Sequence, residues 1–267
     1  MPRDLGDVLH YFLPEADPAS GASSLGLQSS PARALERPAA LPIVALPIGE
    51  RDVMRAAFAW NLAVEIARNG ASATLLAPRD AGSAPLWPEP GRGPVGAEVQ
   101  QVRAESPGAL ARAALDVAVT RAADADEGGL VLVRVPPAWL RGTSDARALL
   151  RWSLLFASSD PRDLRETYAQ TKQLLSGDPE RRVGVTIHGV TRVDEAQRAF
   201  ERIAGACVKH LNYTLVSYGL LVDDLHVYRA IVARRPIGLE HPQSRAARAM
   251  RDVAALLLED ARRAIDG

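Results

Sequence analysis

One cysteine, Cys207, stands among 267 residues. A single thiol excludes an intramolecular disulfide and a cysteine-bound metal cluster. It fits a reducing compartment and reads as a small buried apolar residue. Charge of one sign is equally scarce: 32 Lys and Arg balance 32 Asp and Glu, so no global basic field argues for nucleic acid or an anionic membrane. Aromatics make up 5% of the chain, and the many Ala, Leu and Arg residues suggest a helix-rich protein. No apolar run approaches the ~18–20 residues of a membrane helix, and the N-terminus lacks a basic-then-apolar leader, so the expected location is the cytoplasm. His10, His188, His210, His226 and His241 show neither metal-ligand spacing nor a Ser-His-Asp pattern. No metal site and no catalytic residue are expected among them.

What is present divides the chain into three. Residues 1–14 hold a short amphipathic helical motif, with Leu5, Val8, Leu9 and Phe12 at i, i+3, i+4 and i+7, Asp4 as N-cap and Pro14 as stop. Residues 15–40 are rich in Ser, Gly, Ala and Pro without periodicity and read as a flexible linker. Residues 41–267 alternate strand-like and helix-like segments, the pattern of an α/β domain with a mostly parallel sheet and helices on both faces. Strands are expected over 41–46, 71–80, 130–135, 152–157, 182–187 and 213–218. Helices are expected over 56–70, 107–123, 161–175, 192–209, 223–234 and 243–265, and residues 81–97 read as an irregular excursion. Ser158-Ser159-Asp160 before Pro161 is a helix cap. Trp139 and Trp152 read as packing residues. The last helix, of mixed charge and without an aromatic anchor, reads as part of the packed domain.

The strand Leu41-Pro-Ile-Val-Ala-Leu46, the loop Pro47-Ile-Gly-Glu-Arg-Asp-Val-Met-Arg55 and the helix ending Ile66-Ala-Arg-Asn-Gly70 form a nucleotide-binding strand–loop–helix unit. The helix, with Asn61-Leu-Ala63, resembles the first helix of MinD/ParA-type P-loop ATPases. The segment 152–175 is similar to that family's strand, turn and helix after Walker B, and Arg181-Arg-Val-Gly-Val-Thr-Ile-His-Gly189 to its strand ending near the adenine. Asp223-Asp-Leu-His-Val-Tyr228 and the following residues to Met250 are most similar to the FlhG branch. The resemblance covers 41–258 and implies a single P-loop NTPase-like domain with an N-terminal extension.

Carried onto this sequence, the family's P-loop lysine falls on Arg55, its Mg²⁺-binding hydroxyl on Ala56, and its signature lysine on Glu50. The loop glycines fall on Arg51, Asp52 and Met54, with Gly49 retained. Side chains there would crowd the amides that cradle a phosphate. The second strand keeps one acid, Asp80; the Walker B acid is replaced by Arg134, followed by Pro136-Pro-Ala-Trp139; the adenine-reading asparagine becomes His188. Arg134 needs a partner if buried. Asp80 is the first candidate, with Glu50 or Asp52 as substitutes, and a solvent-reaching Arg134 is the alternative.

These changes lead to the expectation of a protein that is not an enzyme, with no ATP or Mg²⁺ bound. It would act by protein–protein contact in bacterial positioning or assembly, with an active MinD/FlhG-like homologue as a natural partner and no nucleic acid. Leu5, Val8, Leu9 and Phe12 would dock on a partner or back on their own domain. The alternatives are an atypical ATPase rebuilt around Arg55 and a membrane-recruited scaffold using the N-terminal helix.

Overall fold

A computed structural model describes residues 3–8, 39–79, 89–141 and 144–266. Eight strands form one sheet: β1 (Ile43–Pro47), β2 (Ser72–Pro78), β3 (Gly91–Arg92), β4 (Glu98–Val102), β5 (Gly129–Val135), β6 (Trp152–Ser158), β7 (Arg182–Val190) and β8 (Val216–Val222). Their order is β3-β4-β2-β5-β1-β6-β7-β8. All neighbours pair in parallel except β3 with β4. The inner strands are near-continuous apolar runs because both faces are covered; all seven residues of β5 are buried.

The helices are α1 (Leu5–Val8), α2 (Val53–Arg68), α3 (Pro107–Ala122), α4 (Pro161–Gly177), α5 (Val193–Leu211), α6 (Leu225–Ala233), α7 (Ile237–Glu240) and α8 (Arg245–Asp266). Their starts follow the capping rules: Ser106 Oγ accepts from the Ala109 N–H at 3.2 Å, and Asp160 accepts from the Arg162 N–H at 2.7 Å with Pro161 in the first turn. The chain leaves β1 for β2 in one direction along the sheet, whereas β4 to β5 and β6 to β7 run in the other. Right-handed crossovers therefore place α2 on one face and α3 and α4 on the opposite one. α8 packs against α2 and β8, and α5 against α4 and β7. The direction reverses at β1, so a crevice opens beyond its carboxyl end, where ligands of open α/β sheets sit.

Two local expectations differ. Within 81–97, Gly91–Arg92 pairs as β3 and residues 94–96 form a 3₁₀ turn, and β4 follows at 98–102. The last strand lies three to four residues later than 213–218, because Asn212 takes a left-handed conformation (φ 52°) that ends α5. Tyr213 then leaves the strand register. Its hydroxyl donates to the Arg181 carbonyl and accepts from the Val183 N–H, both at 2.8 Å. Trp152 and Cys207 are core residues, and burial pushes the Cys207 thiol up to about 11. Among the described residues no helix is long and apolar enough to cross a membrane.

Of the four N-terminal docking candidates, Leu5 and Val8 are fully buried on the chain's own domain, where α1 meets β8 and α5. Leu9 and Phe12 lie outside the described residues, as does most of the stretch read as a linker.

On α8, burial raises the Asp252 carboxyl to about 6, against which Arg251 and Arg248 act only partly. A folded pKa above the unfolded 3.8 favours the native state below about pH 4, and that advantage is lost as pH rises through 6. Asp252→Asn is expected to stabilise the protein at pH 7.5 by about 1 kcal/mol, a figure discounted for solvent screening. At pH 4 the gain should vanish. Urea unfolding at the two pH values checks this.

Candidate nucleotide site

The loop from Ile48 to Asp52 joins the buried strand β1 to α2. The Asp52 carboxylate caps α2, accepting from the Arg55 N–H at 2.9 Å. Within the first turn of the helix, Arg55 folds back: its Nη1 lies 3.1 Å from Asp52 Oδ2, and its Nη2 donates to Asp163 at the start of α4. Asp163 also accepts from the Ser158 N–H at 2.6 Å. At the end of β7, His188 Nε2 lies 3.8 Å from Asp163 Oδ2. The His188 ring packs on Phe58 of α2 with centroids 5.3 Å apart. Strand order explains the meeting, since β1, β6 and β7 are adjacent and their carboxyl ends open on one crevice.

The electrostatics follow from this geometry. Burial alone would raise the Asp163 carboxyl, but the Arg55 guanidinium and the Ser158 N–H outweigh it and hold the group below its ordinary value. His188 is pushed the other way from a charged partner's usual effect: burial first, then Arg55, keep its pKa below 6.5 against the pull of Asp163, Asp52 and Asp223. Its Nε2 is buried without a hydrogen bond.

Folding thus favours neutral His188, so its contribution to stability is complete above pH 6.5 and falls as pH drops through its lowered value. Relative to His188→Gln, the wild type is expected to lose stability on acidification from pH 7.5, with a limiting slope of about 1.4 kcal/mol per pH unit. Parallel urea titrations of both proteins read the difference.

Arg134, at the end of β5, is 3% exposed and does not reach solvent. Its Nη2 donates to the Gly49 carbonyl at 2.8 Å and its Nε to the Ile48 carbonyl at 3.4 Å. Main-chain carbonyls are therefore part of what stabilises this buried charge. Asp80 lies outside the described residues, Glu50 is exposed, and Asp52 is engaged with Arg55. Ala56 is buried with no oxygen to offer a metal, and Gly49 has open space around its Cα. Trp139 packs at the rim of the core. Asp163, which sequence reasoning missed, is the residue that joins Arg55 to His188. Beside His188 a small, shallow cleft lies between α2 and α6, lined by Met54, Phe58, Val227 and Tyr228 among others.

No protein-family model matches the sequence, and no curated protein matches it. Solved structures do. The MinC:MinD cell division complex of Aquifex aeolicus aligns with TM-score 0.59 at 15% identity, over 82% of this chain and 96% of that one. The fold is that of the MinD/ParA ATPases. A ParA family ATPase from Chlorobium tepidum shares the MinD/ParA fold with TM-score 0.55 at 11% identity, over 82% of this chain and 99% of that one. The Pyrococcus horikoshii septum site-determining protein MinD, in complex with Mg-ADP, aligns at 0.54 and 12% identity over 81% and 95%.

Two expectations are corrected by these likenesses: that the chain is not an enzyme, and that it takes no ATP or Mg²⁺. The MinD/ParA structures that share its architecture include a named ATPase and a Mg-ADP complex. A missing lysine does not carry those negatives, because a helix N-terminus and an arginine also hold phosphate.

Proposed function

We propose that this chain is an atypical MinD/ParA-type ATPase whose phosphate site is rebuilt around Arg55, and that it works through protein contacts in a bacterial positioning or assembly pathway. The observation that carries the reading is the seat of Arg55. It stands at the P-loop lysine position, in the first turn of a 16-residue helix, holding two carboxylates.

The residues fit an anion. Asp163 and Asp52 are the anions Arg55 holds, and a polyphosphate presents the same oxygen chemistry to a guanidinium fork. They do not reproduce the family's metal ligation: Ala56 has no hydroxyl, and among the described residues no group of three His, Cys, Asp or Glu is placed to hold a metal. A bound nucleotide would supply the phosphoanhydride to be cleaved. Arg55 would hold its phosphates by giving up Asp163, while Phe58 and His188 wall the cleft beside them. Released from Arg55, Asp163 keeps the Ser158 N–H and faces His188 across 3.8 Å.

The MinC:MinD complex among the similar structures supports action through a protein partner. The FlhG-like residues after Asp223 support a flagellar or secretion-type setting, with a MinD/FlhG-like homologue as the partner to try first.

Isothermal titration with ATP and Mg²⁺ tests the site. Asp163→Asn, which loosens Arg55, is expected to tighten binding about tenfold, or ~1.4 kcal/mol, and Arg55→Ala to weaken it by as much. Absence of binding in both the wild type and Asp163→Asn would sink the proposal.

A further inference from the structure

The sheet ends at β8, and the segment Arg3–Val8 lies along that edge. The Ser217 N–H of β8 donates to the Arg3 carbonyl at 2.9 Å. The Arg3 guanidinium sits 5.2 Å from the Tyr218 ring centroid, reaches Glu259 at 3.6 Å and pairs with Asp260 of α8. Asp4 Oδ1 caps the turn that follows, accepting from the Leu5 N–H at 2.6 Å. Leu5 and Val8 then fill the apolar space over β8 and α5. One main-chain bond to an edge strand, an arginine paired with two carboxylates and two apolar anchors make the arrangement of a bound peptide.

The carboxylate that receives Arg3 is held in place by other residues of the domain. The Asp260 side chain is 3% exposed and has other partners: Arg182, Arg263 Nη1 at 3.3 Å and the Tyr218 hydroxyl, which donates at 2.7 Å. Removing Arg3 therefore leaves no orphaned carboxylate. Arg182 stacks over Trp152 at 4.8 Å and Tyr218 at 5.8 Å, bracing the floor from the domain's own side. Residues 9–38 separate Val8 from the described body. A chain of that length spans at most on the order of 100 Å, so the connection does not restrict the segment to its own domain.

We propose that the β8 edge is a peptide-binding site. It reads an arginine, a leucine two positions on and a valine three beyond that. Its occupant in trans is the same segment of a second copy of this chain. Two copies that exchange segments keep every one of these contacts, so the exchange costs little beyond association itself. The pairing is independent of the nucleotide site.

The test uses the full chain with a protease recognition sequence inserted near residue 25, cut after folding. The probe is a fluorescein-labelled peptide of residues 1–14. The cut protein is expected to bind it saturably, and the uncut chain at least tenfold more weakly, because its own segment competes at an effective concentration near millimolar. Unlabelled peptides carrying Arg3→Ala or Leu5→Glu should compete at least tenfold worse than the natural sequence. Sedimentation of the uncut chain at about 0.5 mM should show dimer that excess free peptide dissolves. Several results would overturn the proposal: no saturable binding to the cut protein, variant peptides that compete equally well, or loss of the circular dichroism signal when the freed segment is washed away. Strictly monomeric sedimentation at that concentration would remove the second copy as occupant.

Discussion

Asp260→Ala is expected to lower the unfolding free energy by about 3–5 kcal/mol, the cost typical of removing one partner from a buried ion pair. The carboxylate is shared by Arg3, Arg182, Arg263 and the Tyr218 hydroxyl, and it is all but inaccessible to water. Without it, Arg3 and Arg263 fall back on Glu259, while Arg182 and a buried phenol lose their carboxylate. Burial already pushes that phenol well above its ordinary pKa, so it does not ionise to compensate. The Tyr218 ring is seated directly on Gly184, where an added Cβ would come within 2.2 Å of it. Asp260→Asn should cost less, since the amide oxygen still accepts a hydrogen bond. Urea unfolding of the two variants measures the gap. Equal midpoints for Asp260→Ala and the wild type would show that the network is not stabilising.

Arg134→Ala carries the second large effect, about 2–3 kcal/mol, in the range of losing charge-assisted hydrogen bonds to buried acceptors. The consequence is local as well as global. The Ile48 and Gly49 carbonyls lose the guanidinium; Gly49 keeps the Asp52 N–H at 3.2 Å, and the Ile48 N–H keeps the Val135 carbonyl at 3.1 Å. The loop over residues 48–52 should then exchange amide hydrogens faster than β1 and β5, which flank it. Arg134→Met fills the volume with an apolar chain and still removes the guanidinium from both carbonyls, so exchange should rise there too. Hydrogen-exchange mass spectrometry of the three proteins separates a lost bond from a lost volume.

The inner strands could be read from the sequence because burial on both faces makes them uniform apolar runs. Leu130-Val-Leu-Val-Arg-Val135 is found within one residue of its expected start. The cap at Asp160 with Pro161 gave the start of α4 for the same local reason. β4 was missed: Glu98-Val-Gln-Gln-Val102 owes its place to backbone pairing with β2 rather than to a hydrophobic signature. Within the candidate site, Arg55 and His188 could be found by counting along the resemblance. Asp163 could not. An acid in the first turn of a helix is an ordinary complement to the helix dipole, and nothing in its neighbours announces a partner 108 positions away. The carbonyl partners of Arg134 were hidden for a different reason, since side-chain identities do not say which way a loop's peptide planes turn.

Both margins of the sheet are shielded in this fold. At one margin β3 runs antiparallel and is two residues long; at the other, the first residues of the chain lie over β8. An uncovered strand margin is a template on which further chains add indefinitely. Keeping Arg3 through Val8 in place therefore guards against fibrous self-association. A preparation in which proteolysis has trimmed the N-terminus would be the first to turn cloudy on standing.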